Sequence, residues 1–552
     1  MLQGTRIIAR ADNAYQYPLL IKRLLDMPSV CALNQEIIYR NTRRFTYAQF
    51  LGRARQLASG LSSMGIQPGD TVAFMDWDSY RYLEAYFAVP GIGAVLHTVN
   101  VRLSPEQIRF TMNHAEDTVV FVHQDFIPIV EAIREKVPSV KKWILIREPG
   151  EPEPAHSMHF DAEYEEVLVR GTMEFEFPDM DENSQATVSY TTGTTGDPKG
   201  VYFSHRQLVL HTLAVGMALG NIDPVGKFRA GDVYMPITPM FHVHAWGLPY
   251  LATLMGVKQV YPGRYEPAMI LKLREDHKVS FSHCVPTILQ MLLSAPEAKQ
   301  TDLSGWKMVI GGAAFTKGLC KQAMDLGMDV FTGYGMSETC PILTISLLKP
   351  EMLKLDPSAQ VDIRIKTGIA VPLVELKVMD IDMNPVPMDN STSGEICVRS
   401  PWCTQGYFKG PEQGKTLWHG GYLHTGDVAV RDAAGYVRIT DRLKDVIKTG
   451  GEWISSLEIE NLISQHPAVR EAAVVGVPDA KWGERPLAMV VVDGDSRIGP
   501  DDIKAFLMKF VADGVIEKWA LPERILITEA IPKTSVGKID KKVIRVNVQS
   551  NG

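Results

Sequence analysis

The chain has 552 residues, 45% of them hydrophobic and 22% charged, with a formal net charge of -7 and a pI near 6.1. This length asks for more than one domain and supplies a large core, while the mild acidity excludes general nucleic-acid binding, which needs a basic field. Six scattered cysteines without a C-x-x-C pair read as free thiols, and the absence of a signal-type N-terminus or of ~20 consecutive apolar residues predicts a cytoplasmic protein with no integral membrane segment, peripheral contact being left open.

The first half alternates strands and helices. TVAFMD (residues 71–76) is a short buried-type strand, and SYRYLEAYFAVPGIGAV from Ser79 has helical spacing with a Pro/Gly stop. TVVFVH (118–123), the helical DFIPIVEAIREKV, and KKWILI (141–146) repeat the pattern. Short connections between such elements predict a parallel sheet with helices on its faces, hence an α/β class. EPGEPEPAHS (148–157) reads as a Pro/Glu-rich surface loop within that pattern.

ATVSY (186–190) is a strand by composition, TTGTTGDPKG (191–200) breaks it, and VYFSH resumes. Glycines let a backbone turn its N–H groups inward, threonines add hydroxyls and Lys199 adds charge, a set that suits polyphosphate; the plain alternative is a polar hairpin turn. A Walker A loop needs G-x-x-x-x-G-K-[ST], whereas Lys199 stands between Pro198 and Gly200, so a P-loop kinase is disfavoured. Further on, RLKDVIKTGGEWIS (442–455) is charged, then glycine-rich, and the pattern changes after it. Helix SSLEIENLISQH, strands EAAVVGVP and LAMVVVDG, helix PDDIKAFLMKFV and strand RILITEA make a small α+β unit. The predicted architecture is a large N-terminal α/β domain over 1–441, a hinge at 442–446 and a small mobile C-terminal domain over 447–552.

Five stretches carry a resemblance. SYTTGTTGDPKGV, GYGMSET (333–339), HTGDVAV (424–430), ITDRLKDVIKTGGEWIS (439–455) and IPKTSVGKIDK (531–541) occur in the order found in the acyl-adenylate-forming superfamily, and the chain resembles its fatty acyl-CoA synthetase branch. The resemblance implies a two-step ligase using ATP, Mg²⁺ and coenzyme A on a carboxylic acid. Thr191, Thr192, Gly193, Thr194, Thr195, Gly196 and Lys199 would wrap the phosphates, with Thr194 and Glu338 toward the metal. Tyr334 would stack on adenine, flanked by Gly311, Gly312 and Ala313 and followed by Gly335, Met336 and Ser337. Asp427 would accept from the ribose hydroxyls, and Arg442 would reach the sugar or phosphate. Lys538 would neutralise charge between the carboxylate and the α-phosphate. Lys444 matches the hinge position, and Gly450, Gly451, Glu452 and Trp453 would line the CoA tunnel. Trp482-Gly483-Glu484 would be a structural turn.

Each of these residues also has a plain reading: Glu338 and Asp427 as turn residues, the glycines of 311–314 as close helix–strand packing, Lys538 as a solvated charge. TPMFHVHAWGLPY (238–250) resembles the acyl-pocket region, with His242 beside the reacting carboxylate, His244 and Gly311 in the wall and Trp246 at the aromatic gate. His244 departs from the family's asparagine. If the segment were a strand, His242 and His244 would share a face and could chelate a metal, but a third ligand is not near in sequence. Trp246 could equally be a core aromatic. Met235, Met240 and the stretch HCVPT (283–287) are expected nearby.

The favoured reading is an AMP-forming acid:CoA ligase for a medium- or long-chain fatty acid. The alternatives are a ligase for 3-methylthiopropionate or another short or aromatic acid, a luciferase-type oxygenase, and a non-catalytic nucleotide-binding protein. CoA is preferred over a carrier protein as acceptor, and a homodimer is carried over from fatty acyl relatives.

Overall fold

The computed structural model describes residues 6–148, 150–191, 197–221, 226–450, 452–493, 498–534 and 538–550, with backbone alone for residues 452, 453, 549 and 550. Strand Thr71–Met75 is buried at all five positions, because helices cover both faces of its sheet. That sheet has seven strands in the order Ala162–Glu163, Lys142–Ile146, Asp117–His123, Thr71–Met75, Val95–Thr98, Gln185–Thr191, Lys199–Ser204. All pairings are parallel except the last, an edge hairpin.

Helix Tyr80–Gly91 starts at Ser79, whose side chain accepts from the Tyr82 N–H, and all twelve of its residues are buried. It runs through Pro90 rather than stopping there. Proline cannot donate to the carbonyl four residues back, and that carbonyl, on Tyr86, accepts from the Tyr250 hydroxyl at 3.3 Å instead. The helix packs between the seven-stranded sheet and a second sheet. Helix His205–Gly220, opened by a Ser204–Gln207 capping box, lies in the same layer.

The second sheet has nine strands, ordered Ile369–Ala370, Ile342–Ile345, Asp329–Gly335, Lys307–Gly311, Phe281–Cys284, Val233–Pro236, Lys258–Tyr261, Glu36–Tyr39, Arg43–Thr46. Its interior is parallel and its edges antiparallel. One hydrophobic core spans the interlayer between the two sheets.

The stretch 148–157 is not a simple surface loop. Glu148 is buried, accepting from Tyr39 at 2.5 Å and pairing with Arg81 at 2.9 Å and Arg40 at 3.3 Å. Arg81 also pairs with Asp76 at 3.0 Å. A buried guanidinium needs such partners, and sequence alone did not supply the pairing.

A five-stranded antiparallel sheet follows, with Glu375–Met379, Gly394–Arg399, Tyr422–Arg431, Trp418–His419 and Val437–Arg442. The small C-terminal domain has its own cores on the two faces of a sheet built from Glu452–Ile454, Ile447–Thr449, Gly483–Val492, Val469–Asp479 and Arg524–Ile527. Its helices are Ser456–Ile463, Pro500–Ala512 and Lys541–Ser550. The paired strands Ile447–Thr449 and Glu452–Ile454 and the last helix are elements that local sequence pattern does not predict. Side-chain contacts tie the small domain down: the Asp441 carboxylate accepts from the Ser456 N–H at 2.6 Å, Arg545 pairs with Asp445 at 2.7 Å, and the Lys317 N–H donates to Asn461 at 3.1 Å. Among the described residues, no helix is long and apolar enough to cross a membrane.

Candidate active site

The edge hairpin of the first sheet pairs Thr191 with Lys199. Thr192, Gly193, Thr194, Thr195 and Gly196 lie outside the described residues, as do Gly451 and the side chains of Glu452 and Trp453. The exposed Lys199 ammonium lies 4.8 Å from the Tyr407 ring centroid. The Tyr407 hydroxyl in turn donates to Glu338 Oε1 at 2.7 Å. Glu338 is buried in the short turn Ser337–Thr339, where its carbonyl also accepts from the Thr404 N–H at 2.8 Å. The hairpin and the acidic residue of GYGMSET are therefore brought together through a tyrosine that the sequence reading missed. Tyr407 stands 69 residues beyond Glu338, and periodicity does not link the two.

Tyr334 is the penultimate residue of the strand Asp329–Gly335 and is half-buried. Its hydroxyl donates to Asp427 Oδ2 at 2.7 Å, and Arg442 Nε pairs with Asp427 Oδ1 at 3.0 Å. Asp427 and Arg442 are cross-strand partners, which fixes that pair by register. The three residues form one polar cluster, with Gly335 at the end of the strand and Met336 and Ser337 leading into the next turn.

The strand Lys307–Gly311 delivers Gly311 and Gly312 next to this cluster. A Cβ on Gly311 would lie 2.5 Å from the Gly333 carbonyl oxygen and 3.0 Å from the Trp246 ring, so only glycine fits. Gly312 has φ +79°, and Ala313 beyond it is exposed. Trp246 is buried between Gly311 and His283, its ring 5.1 Å from the imidazole. The Tyr234 hydroxyl bonds the other side of His283, at Nε2, at 2.8 Å.

Residues 243–246 are not a strand. Val243, His244, Ala245 and Trp246 have φ of 45°, 57°, 47° and 60°, a left-handed turn closed by Gly247 at 74°. Each non-glycine residue costs about 1–2 kcal/mol in that conformation. All four side chains are buried, and this packing offsets the strain. The segment is pinned upstream by Asp78, whose Oδ1 accepts from the Met240 N–H at 2.8 Å; burial raises that carboxyl to about 7.

The turn separates the two histidines that a strand would have aligned. His244 is fully buried, its ring 5.8 Å from Tyr86 and 5.9 Å from Tyr250, with neither nitrogen partnered among the described residues. His242 instead stands near Lys538 and Arg102. The metal-chelating alternative for His242 and His244 is thus overturned. Met235 and Met240 are buried in two different cores, so they do not form one pocket wall.

Lys538 arrives from the small domain. Its loop is closed by the Thr534 N–H on the Lys538 carbonyl at 2.7 Å and by the Lys538 N–H on Thr534 Oγ1 at 3.2 Å. A Cβ on Gly312 would lie 3.3 Å from Lys538 Cε and 3.8 Å from Nζ. The plain reading of Lys538 as a solvated charge does not hold. Burial first, and then Arg442, lower its ammonium to about 8, against the pull of Asp427 and Glu338. Burial, and then Lys538, lower His242 to about 3, so its ring is neutral.

Gly450 faces elsewhere. Its N–H donates to the Trp482 carbonyl at 2.7 Å, and a Cβ there would meet the Trp482 ring at 2.9 Å. Lys444 is exposed, in the turn between Val437–Arg442 and Ile447–Thr449.

The arrangement matches known proteins along its whole length. The AMP-binding enzyme family model covers residues 29–408, and the model of the AMP-binding enzyme C-terminal domain covers 458–538. A long-chain-fatty-acid–CoA ligase of Thermus thermophilus is 40% identical over 99% of this chain and 98% of its own. A 3-methylmercaptopropionyl-CoA ligase of Ruegeria lacuscaerulensis is 38% identical over 96% and 97%. The crystal structure of ATP-bound MatB from Rhodopseudomonas palustris superposes with a TM-score of 0.81 at 25% identity, covering 97% of this chain and 100% of that one. With a buried acid, a polar Tyr–Asp–Arg cluster and an inserted lysine in one place, and this similarity across both domains, the chain belongs to the AMP-binding enzyme family and is an acyl-CoA ligase.

Proposed function

We propose that this ligase activates a medium- or long-chain fatty acid with ATP and transfers the acyl group to coenzyme A. In the first step a carboxylate oxygen attacks the α-phosphorus, and the bond to pyrophosphate breaks. In the second the CoA thiolate attacks the acyl carbon, and AMP leaves. The observation that carries the reading is Lys538, lodged beside Gly312 with Asp427, Glu338 and His242 around it. An ammonium placed there neutralises charge where two anions must meet, which is electrostatic stabilisation of the first transition state.

The other residues divide the work of positioning. The hairpin 191–199 holds the β- and γ-phosphates, Tyr334 the adenine, Asp427 and Arg442 the ribose. The neutral His242 lies near the carboxylate without adding charge. The carboxylate of Glu338, steadied by Tyr407, is a hard oxygen donor suited to Mg²⁺, with Thr194 as its partner. Mg²⁺ bound there supplies neutralisation of phosphate charge. For the second step the small domain turns about residues 442–446, centred on Lys444, and brings Gly450 and Gly451 toward the acyl carbon as a CoA passage. A few loop-end dihedrals suffice for such a motion.

The fatty acid rests on the Thermus relative and on Trp246 closing against Gly311, the place of a gate. A short thioether acid is the second reading, favoured by the Ruegeria relative of nearly equal identity and by the fully buried His244. CoA-dependent AMP formation decides between them, measured with propionate, 3-methylthiopropionate, octanoate, palmitate and benzoate. A maximum at C8–C16, moved by Trp246→Ala, is expected. A maximum at the short acids would overturn the fatty-acid reading and leave the chemistry in place.

A further inference from the structure

Strands Gly394–Arg399 and Tyr422–Arg431 set Cys397 directly opposite His424, and Glu395 lies two residues before Cys397, on the same face. Cys397 Sγ is 3.7 Å from His424 Nδ1, Nδ1 is 2.7 Å from Glu395 Oε2, and one donor atom from each residue lies within 4.8 Å of the others. We propose that Glu395, Cys397 and His424 form a binding site for a thiophilic divalent cation, zinc by its chemistry, separate from the hard oxygen site at Glu338.

The geometry meets the demands of that ion. Bonds of about 2.3 Å to sulfur and about 2.0–2.2 Å to nitrogen and oxygen put tetrahedral neighbours about 3.3–3.6 Å apart. The sulfur–nitrogen separation of 3.7 Å lies just beyond this range and needs to close only slightly. The shorter nitrogen–oxygen contact opens by about 0.6 Å as the ion takes the place of the proton between them, that proton moving to Nε2 while the Cys397 thiol releases its own proton to solvent. Thiolate, imidazole and carboxylate together select zinc over magnesium.

Two further observations point the same way. Glu395 Oε1 accepts from the Gly426 N–H at 2.9 Å, which holds the carboxylate with Oε2 toward His424, the orienting contact a metal ligand needs. His424 Nε2 is buried without a partner among the described residues, so it can carry the ring proton while Nδ1 gives its lone pair to the ion. Glu395 and His424 each keep 19% of their side-chain exposure, a path for the ion and room for a water in the fourth position.

The test is titration of the metal-stripped full-length protein with Co²⁺ alone, read by the near-ultraviolet thiolate-to-cobalt absorption, followed by displacement with Zn²⁺. The expected result is saturation at one equivalent, with the band retained in Cys31→Ser and lost in both Cys397→Ser and His424→Gln. Zn²⁺ should raise the melting temperature of the wild type and of Cys31→Ser but of neither site variant. The histidine variant keeps every thiol, so a folding defect in Cys397→Ser does not decide the outcome. A band that is absent, that follows the exposed Cys31, or that survives in His424→Gln overturns the site.

Discussion

Two loops of the small domain stand in opposite relation to the polar cluster of Tyr334, Asp427 and Arg442. The Lys538 loop reaches across and packs on Gly312, beside His242. The Gly450 hairpin packs on Trp482 of its own domain. Among the described residues Lys538 is engaged with the large domain while Gly450 packs within its own, and the two proposed half-reactions need the two loops in turn. The first needs a cation between anions; the second needs an opening for a thiol where that cation now sits.

The comparison breaks first at Lys538. Lys538→Ala removes a preorganised charge, and such losses cost about 10²–10³-fold. Acid-dependent pyrophosphate release should fall by about 10³, or about 4 kcal/mol, while thioester formation from supplied acyl-adenylate stays near wild type. Equal losses in both half-reactions would refute the assignment of this loop to the first step alone.

Tyr407→Phe should be milder. It deletes a hydroxyl hydrogen bond to a buried carboxylate, worth about 1.5–3 kcal/mol, so adenylation should fall by about 10-fold or more and require more Mg²⁺. A magnesium titration checks this; an unchanged magnesium dependence would remove Tyr407 from the metal-side machinery.

The pH response is smaller still and follows from the lysine brought down to about 8. The ammonium is the useful form, so kcat/KM for adenylation should be flat below about 8 and drop as pH rises through it, by up to tenfold per unit. Bound phosphates favour the charged form, so the fall in kcat should lie at higher pH. His242, at about 3, stays neutral throughout and should add no acidic limb between pH 5 and 8. A rate that climbs above pH 8 would contradict the role of the charge.

Much of this architecture is legible in the sequence. The interrupted strand at 185–204, the alternating first sheet and the α+β tail follow from periodicity and turn chemistry, because each signal is local. The family motifs located Glu338, Tyr334, Asp427, Arg442 and Lys538, yet not the bonds among them. Tyr407 on Glu338 and Arg81 on Glu148 pair residues far apart in sequence, which no local pattern encodes. The backbone is least legible at 242–246. A strand there would set His242 and His244 on one face, but four residues turn left-handed against their intrinsic preference because packing holds them. Tertiary burial, invisible in a short window, decided where His244 points.

The most direct test of the alternating use of the two loops is Lys444→Pro, with the two half-reactions timed separately in single turnovers. A fixed φ at the proposed hinge should leave acyl-adenylate formation within about twofold of wild type and slow thioester formation by about 10²-fold, the scale of a misplaced reactant. Thioester formation at the wild-type rate in a folded Lys444→Pro protein would contradict the account.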